Sequence, residues 1–236
     1  MRKMRKIKFV AFAVMASLVF SSCSSDEILL PEQQNQSKEL FKTYQLKRDA
    51  EGAYSIDVNT EDNVSIGKVK NNSNNTNELH LALSFDKLAQ KSNYGSDLWF
   101  NNENFQIEFI SENYNKKPSI SIFDDNIKFV QKGKKDKSKF LKDFSIAKNE
   151  DGSYDLDFKV KKKVSVDFVY DSKNNIYEIH LEKAKKSKTK KKYLRTFEKE
   201  AGKLLQIVFV NHTGKSKGGS GVIRKPIIII DDGEDG

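Results

Sequence analysis

Two short motifs of a glutamate and a histidine carry the first chemistry that the sequence offers. Glu78 precedes His80 by two residues, and Glu178 precedes His180 with the same spacing. On a β-strand such residues point to one side, about 6.5 to 7 Å apart, so each pair could supply two ligands to a metal ion. The polar outer face of a half-buried strand, repeated because the strand was duplicated, is the favoured explanation of the pairs, and His212 falls in a glycine-rich loop. We therefore predict no metal and no cofactor. If a metal does bind, the four paired residues are the candidate ligands.

Two aspartates suggest a second kind of chemistry. Asp57 and Asp157 each alternate with apolar residues along a predicted strand. Two carboxylates can work as general acid and base on a glycosidic bond when about 5 to 10 Å separates them. A surface position on a copied strand explains the same aspartates without catalysis. We predict no catalytic residue and no enzymatic activity, and a glycan hydrolase that uses these aspartates or the Glu/His pairs remains the alternative.

Lysines are concentrated in residues 183–192 and recur in the loop of residues 211–225. Few aromatic residues interleave with them, so stacking on nucleic-acid bases is not predicted. Gly214-Lys215-Ser216 does not complete a phosphate loop, because Phe209 stands where that motif needs its first glycine. A solvated surface explains most of these lysines. Five of them form the candidate contact surface for a partner: Lys186, Lys190, Lys191, Lys215 and Lys217.

These residues belong to a segment that occurs twice. Residues 41–110 and 141–210 align without a gap at an offset of one hundred. They share 16 identities in 70 positions, where unrelated segments would share about four, so the chain contains an internal duplication. The pattern explains how the chain is built, and it leaves the biochemical task open.

Each repeat predicts several strands and one helix. Alternating apolar residues, such as Tyr54, Ile56 and Val58, indicate half-buried strands that begin as an antiparallel meander. A period of 3.6 residues predicts a helix between the fourth and fifth strands of each repeat. Its apolar residues are Phe85, Leu88 and Ala89 in the first repeat and Tyr193, Leu194, Phe197, Ala201 and Leu204 in the second. The predicted class is mainly β with some α, an α+β fold.

Near the end of the chain stand four consecutive isoleucines, residues 227–230. Such a run predicts a strand that is covered on both faces. The turn signals within each repeat and the lysine-rich connector between the repeats favour two small domains, without deciding between two domains and one fused sheet.

The charge of the chain depends on its first residues. The formal charge is +9, but the first 22 residues hold five basic residues and no acid, so the remainder carries +4. A charge of this size gives little support to a nucleic-acid partner, and we predict none.

The N-terminus has the features of an export signal. Basic residues precede an apolar run, FVAFAVMASLVF, and two serines come before Cys23, the only cysteine. The run is short for a membrane span, which needs roughly 20 apolar residues. This segment resembles the signal of bacterial lipoproteins, in which the cysteine is acylated after cleavage. The resemblance implies cleavage behind Ser22, lipid such as palmitate on Cys23 and a membrane anchor.

The residues after Cys23 refine this resemblance. Ser24 is not the aspartate that retains many lipoproteins in the inner membrane. The segment SSDE is similar to the short tag of Bacteroidetes surface lipoproteins. The resemblance therefore implies an outer-membrane protein on the periplasmic or the cell-surface side. The globular part is not assigned to a family.

These observations predict the organisation of the chain. A signal peptide (1–22) precedes the lipidated cysteine and flexible tether (23–39), the first repeat (40–126), a linker (127–139), the second repeat (140–232) and an acidic tail (233–236). The expected function is non-catalytic: binding of a protein or glycan partner, or a role in envelope assembly. An envelope glycan hydrolase, a metal-binding protein and an immunity or inhibitor lipoprotein are the alternatives.

Overall fold

The computed structural model describes residues 40–84, 93–100, 103–125, 139–185, 190–213 and 221–233. These residues form fourteen strands. The first seven strands are β1 (Phe41–Arg48), β2 (Tyr54–Thr60), β3 (Val64–Asn71), β4 (Thr76–Leu83), β5 (Asn93–Asp97), β6 (Asn104–Ile110) and β7 (Ser119–Phe123). The other seven are β8 (Leu141–Lys148), β9 (Tyr154–Val160), β10 (Val164–Asp171), β11 (Ile176–Lys183), β12 (Lys192–Phe197), β13 (Leu205–His212) and β14 (Val222–Asp231).

The strands build two sheets that pack face to face. Sheet A has the order β12-β9-β8-β1-β2-β5, and sheet B has the order β10-β11-β13-β14-β7-β6-β4-β3. Strands β1 to β7 of the first repeat correspond in order to β8 to β14 of the second. When every strand is replaced by its counterpart, each sheet has the same strand order read in the opposite direction. The two repeats are thus related by a pseudo-twofold axis that passes between β1 and β8 in sheet A and between β7 and β14 in sheet B.

Both repeats contribute to one hydrophobic core between the sheets. Phe41 of sheet A stacks on Phe109 of sheet B with ring centroids 4.5 Å apart, and Phe158 meets Phe209 at 5.5 Å. Residues 37–236 form one compact unit. The sequence favoured two small domains, whereas the described strands of both repeats share the same two sheets.

The predicted α+β class is wrong, because the described residues are all-β and contain no helix. In the second repeat, the region of the predicted helix contains β12, which pairs antiparallel with β9 at the edge of sheet A. Tyr193 and Phe197 point into the core, whereas Leu194 is 64% exposed. The helix predicted around Leu88 in the first repeat lies outside the described residues, and β5 follows it at the equivalent edge.

The predicted meander is also interrupted. After β2, the chain leaves sheet A at a short turn and starts β3 in sheet B. Asn63 and its counterpart Lys163 take positive φ angles of 72° and 62° at this turn. The chain then returns to sheet A for β5 before it lays β6 parallel to β4, and the second repeat follows the same path. Hydrophobic alternation sets the faces of these strands but not the sheet to which each belongs.

The four isoleucines of β14 divide between two environments. Ile228 and Ile230 are fully buried in the core, as predicted for a central strand. Ile227 and Ile229 lie on the outer face of sheet B and are half-buried. The expectation of complete cover on both faces is therefore met only on the inner face.

A buried polar cluster lies between the sheets in the first half. The Nε atom of Arg48 donates to Oδ2 of Asp124 at 2.8 Å, and the hydroxyl of Tyr54 donates to the same oxygen at 2.9 Å. The side chains of Arg48 and Asp124 have no exposed surface. A buried charge needs a partner of this kind, since an isolated one would be costly to remove from water.

This cluster predicts a loss of stability at high pH. Burial and the neighbouring Asp124 carboxylate raise the pKa of Tyr54 well above its ordinary value of 10.0. In the unfolded chain Tyr54 ionises near that value. The contribution of the neutral Tyr54 to the free energy of unfolding is therefore fully present below pH 10.0 and declines as the pH rises further. We expect urea unfolding of Tyr54→Phe to show a weaker decline than wild type between pH 9 and 11, by up to about 1.4 kcal/mol per pH unit. Equal slopes would contradict this prediction.

Candidate functional site

Two shallow clefts open on the outer face of sheet A. One has a volume of about 390 Å³ and the other about 500 Å³. The first, called the charged cleft, is lined mainly by Lys47, Asp49, Ser55, Asp97, Asp143, Ser145, Asp157 and Lys159. The second, called the amide cleft, is lined mainly by Thr43, Gln45, Asp57, Asn59, Asn93, Gly95, Ala147 and Asn149.

The two clefts are equivalent under the pseudo-twofold axis. Positions 43–45, 57 and 59 line the amide cleft, and the same positions plus one hundred line the charged cleft. Positions 47–49 line the charged cleft, and their counterparts 147–149 line the amide cleft. Each cleft therefore combines strands of both repeats across the central pair β1 and β8. Gln45 Nε2 donates to Ser145 Oγ at 3.4 Å across this pair.

At several equivalent positions the charged cleft has an ionisable residue where the amide cleft has a neutral one. The charged cleft holds Lys47, Asp49, Asp143 and Lys159 where the amide cleft holds Ala147, Asn149, Thr43 and Asn59. Only the aspartate at positions 57 and 157 is common to both clefts on the outer face. The duplication thus produced one pair of sites on one face, and later substitutions gave each site its own polarity.

Ion pairs organise the charged cleft. Lys159 lies 3.4 Å from Asp143, and Asp157 lies 2.7 Å from Lys192 on β12. Lys47 pairs with Asp57, which belongs to the other cleft, and so links the two sites. These groups are partly exposed, so their interactions orient side chains more than they stabilise the fold.

The amide cleft depends on a glycine in β5. A Cβ atom at Gly95 would lie 2.8 Å from Oδ1 of Asp57. The missing side chain therefore allows the carboxylate to lie directly against the edge strand. The amides of Asn59, Asn93 and Asn149 supply both donors and acceptors around it.

The aspartates do not form a catalytic pair. Asp57 lies opposite Gln45 on β1, and Asp157 lies opposite Ser145 on β8. Three strand spacings of about 4.8 Å separate β2 from β9, so the two backbones that carry the aspartates lie roughly 14 Å apart. Acid and base groups of glycosidases lie about 5 to 10 Å apart, so the geometry does not support a hydrolase built on these aspartates.

The two Glu/His pairs lie far apart on the outer face of sheet B. Five strand spacings separate β4 from β11 in the sheet order, about 24 Å in all. Within the pairs, His80 Nε2 lies 3.0 Å from Glu78 Oε2, and His180 Nε2 lies 2.8 Å from Glu178 Oε2. They do not face each other across a cleft, which was the arrangement that would favour an enzyme or a shared metal.

The second pair has a neighbour that the sequence did not predict. His212, assigned to a loop from the sequence, ends β13, and the parallel pairing with β11 brings its Nε2 within 2.8 Å of His180 Nδ1. Arg224 Nε donates to Glu178 Oε1 at 3.2 Å. Burial alone would raise the pKa of Glu178, but the hydrogen bonds from His180 and Arg224 outweigh it and lower that pKa.

This arrangement is a hydrogen-bonded chain and not a metal cage. His180 uses one ring nitrogen toward Glu178 and the other toward His212, so the donor atoms do not converge on one point. In the part of the chain that the structure describes, no group of three or more His, Cys, Asp or Glu residues could hold a metal ion. In the first pair, hydrogen bonds from Asn71 and His80 lower the pKa of Glu78.

The lysine surface is described only in part. Lys190 and Lys191 are exposed and lead into β12, and the Lys190 ammonium lies 5.3 Å from the centre of the Tyr193 ring. They therefore flank an edge strand and not a helix. Lys186, Lys215 and Lys217 lie outside the described residues, and so does Cys23.

The chain was also compared with known protein families, curated proteins and solved structures. None of the three comparisons found a match. Among the described residues, no helix is long and apolar enough to cross a membrane.

Proposed function

We propose that this protein is a lipid-anchored binding protein of the outer membrane, and that its paired clefts hold a polar envelope ligand. The observation that carries the proposal is the pair of equivalent clefts on one face of sheet A. The N-terminal resemblance to bacterial lipoproteins supports the anchor at Cys23.

The chemistry of the clefts favours a glycan as the ligand. Carboxylates and hydroxyls line both sites, side-chain amides line the amide cleft and ammonium groups line the charged cleft, so both offer acceptors and donors to a ligand rich in hydroxyl groups. A polymer with repeating units can occupy both clefts at once, and the second contact then gains from its high effective concentration. The immunity and hydrolase alternatives lack a comparable observation among the described residues.

The anchor is tested by Cys23→Ala in the full-length protein. The variant cannot be acylated, so we expect it to leave the membrane fraction, whereas wild type stays there. Immunoblots of fractionated cells measure the distribution. Equal membrane association of both proteins would remove the anchor from the proposal.

The clefts are tested with protease-treated envelope polysaccharide and immobilised full-length protein. We expect Asp57→Asn and Asp157→Asn each to weaken retention by about tenfold, because each removes a charge-assisted hydrogen bond and the bivalent contact. Asp167→Asn, an exposed substitution on sheet B, is the matched control and should bind as wild type. Retention that is equal in all four proteins, or absent from all, would exclude the clefts as a glycan site.

A further inference from the structure

Sheet B extends beyond sheet A on both sides of the sandwich. Counted from the pseudo-twofold axis, each half of sheet A has three of the described strands, and each half of sheet B has four. The outermost strands of sheet B, β3 and β10, therefore overhang the outermost strands of sheet A, β5 and β12, by roughly one strand spacing of 4.8 Å. A side chain on the inner face of an overhanging strand is covered by sheet A on one side only.

The two overhangs are filled differently. On β3 the ammonium of Lys68 donates to Ser96 Oγ at 2.8 Å, so one long side chain bridges the gap to β5. At the same position β10 carries Phe168, and at the position of Lys70 it carries Tyr170. These two aromatic side chains are 37% and 47% exposed. The overhang of the second repeat thus leaves apolar surface in contact with water.

The backbone of β10 is also open along this edge. Among the described residues, β10 has a strand neighbour on one side only, and it contains no proline, glycine or bulge. The amide of Ala184 donates to the carbonyl of Lys163. In this antiparallel pair the odd-numbered residues of β10 therefore bond to β11, and the even-numbered ones point their amide and carbonyl groups away from it. The Phe168 amide donates locally, to the carboxylate of Asp167 at 3.1 Å. Such an edge can pair with a further strand.

A second copy of β10 fits this edge when the two strands run antiparallel about a twofold axis at Phe168. This register sets even-numbered residues opposite each other, as the outward backbone groups require. The opposed pairs are Phe168 with Phe168, Val166 with Tyr170, Asp167 with Val169 and Ser165 with Asp171. No two like charges face each other along the strand, and the exposed rings cover one another.

One cation lies close to the axis of this pairing. The guanidinium carbon of Arg195, on β12, lies 5.6 Å from the centre of the Phe168 ring. Because β12 is set back by one strand, roughly three spacings, or 14 Å, separate the two β12 strands of such a dimer. At this distance salt screens most of the repulsion between the two arginines.

The edge formed by β3 does not share this self-complementarity. The same register would place Lys68 opposite its own counterpart, and like charges in that position destabilise a strand pair. Lys68 would also have to leave Ser96. Pairing through β10 alone closes at two copies, whereas pairing through both edges would continue into a fibre.

From these features we infer that the protein forms a twofold dimer in which β10 of one copy extends sheet B of the other. The dimer surface is separate from the clefts of sheet A, since Phe168 and Tyr170 line neither of them. It therefore stands independently of the ligand proposed for those clefts.

Sedimentation equilibrium of the full-length protein in non-ionic detergent tests the dimer. One strand pair buries less than a standard interface, so we expect a dissociation constant in the micromolar range. Phe168→Lys gives β10 the residue of β3 and should weaken dimerisation by at least about tenfold, because it removes the central aromatic pair and sets like charges on the axis. Val69→Lys is the matched control: Val69 is 49% exposed on the opposite edge strand, and its replacement should leave the dimer unchanged.

Hydrogen exchange of wild type shows which strand pairs. As the concentration rises through the range in which dimers form, the amides of Phe168 and Tyr170 should exchange at least about tenfold more slowly. The amides of Lys68 and Lys70 also point away from their neighbour strand, and their exchange should not change. Monomers at every concentration, equal dimerisation of all three proteins, or protection on β3 instead of β10 would overturn the proposal. The wild-type exchange rates decide the matter even if Phe168→Lys does not fold.

Discussion

Replacing Phe109 by alanine is expected to lower the free energy of unfolding by about 3 to 5 kcal/mol, as for other large buried aromatic residues. Phe109 is 1% exposed, and its ring contacts Phe41 and Tyr44 on the opposite sheet. Phe209→Ala, the equivalent change in the second repeat, should have a similar effect. Because one core serves both repeats, each variant should shift a single unfolding transition of the whole sandwich. Urea unfolding followed by circular dichroism and tryptophan fluorescence measures both quantities.

Leu194→Ala is the control for these variants. Leu194 is 64% exposed, so the substitution should change stability by no more than about 0.5 kcal/mol. Two transitions, of which Phe109→Ala moves only one, would contradict a shared core.

Replacing Asp124 by asparagine is expected to cost about 3 to 5 kcal/mol, because it leaves the charge of Arg48 buried without its carboxylate. The double variant Arg48→Met with Asp124→Leu removes both charges and should be more stable than Asp124→Asn alone. Denaturant midpoints of the three proteins test this order. Lys42→Met, at a surface pair with side chains 36% and 38% exposed, should stay within about 1 kcal/mol of wild type. A double variant that loses more than the single one would show that the ion pair itself stabilises the fold.

The strands that the sequence predicted well are those with strict alternation. The alternation of Tyr54, Ile56 and Val58 predicted a half-buried strand, and each of these side chains is at most 1% exposed. Alternation is a local property, so a single strand reveals which of its residues face the core. The sequence also showed the duplication, which the structure expresses as a pseudo-twofold axis.

The predicted helix of the second repeat was wrong for a geometric reason. Tyr193 and Phe197 stand four residues apart, and a spacing of four places two residues on one face of a helix and also on one face of a strand. The exposed Leu194 was the residue that distinguished the two periods. A short lysine-rich strand at a sheet edge has few other apolar residues to decide the question.

The arrangement of the candidate sites could not be predicted because it depends on pairing between distant strands. Nothing local indicates that β4 and β6 lie parallel with β5 in the other sheet. The proximity of His212 to His180 follows from the same crossover in the second repeat. The clefts of sheet A likewise require β1 and β8 to pair across a separation of one hundred residues.

The central pairs, β1 with β8 and β7 with β14, have a consequence for how the sites could diverge. One repeat alone would leave an open edge in each sheet, and two copies would close both edges as a symmetric dimer. In such a dimer every substitution occurs twice, and the two clefts must remain identical. Joining the copies in one chain removes that constraint, so Lys47 can differ from Ala147 and Asp143 from Thr43. One folded body thereby presents chemically different sites on a symmetric frame.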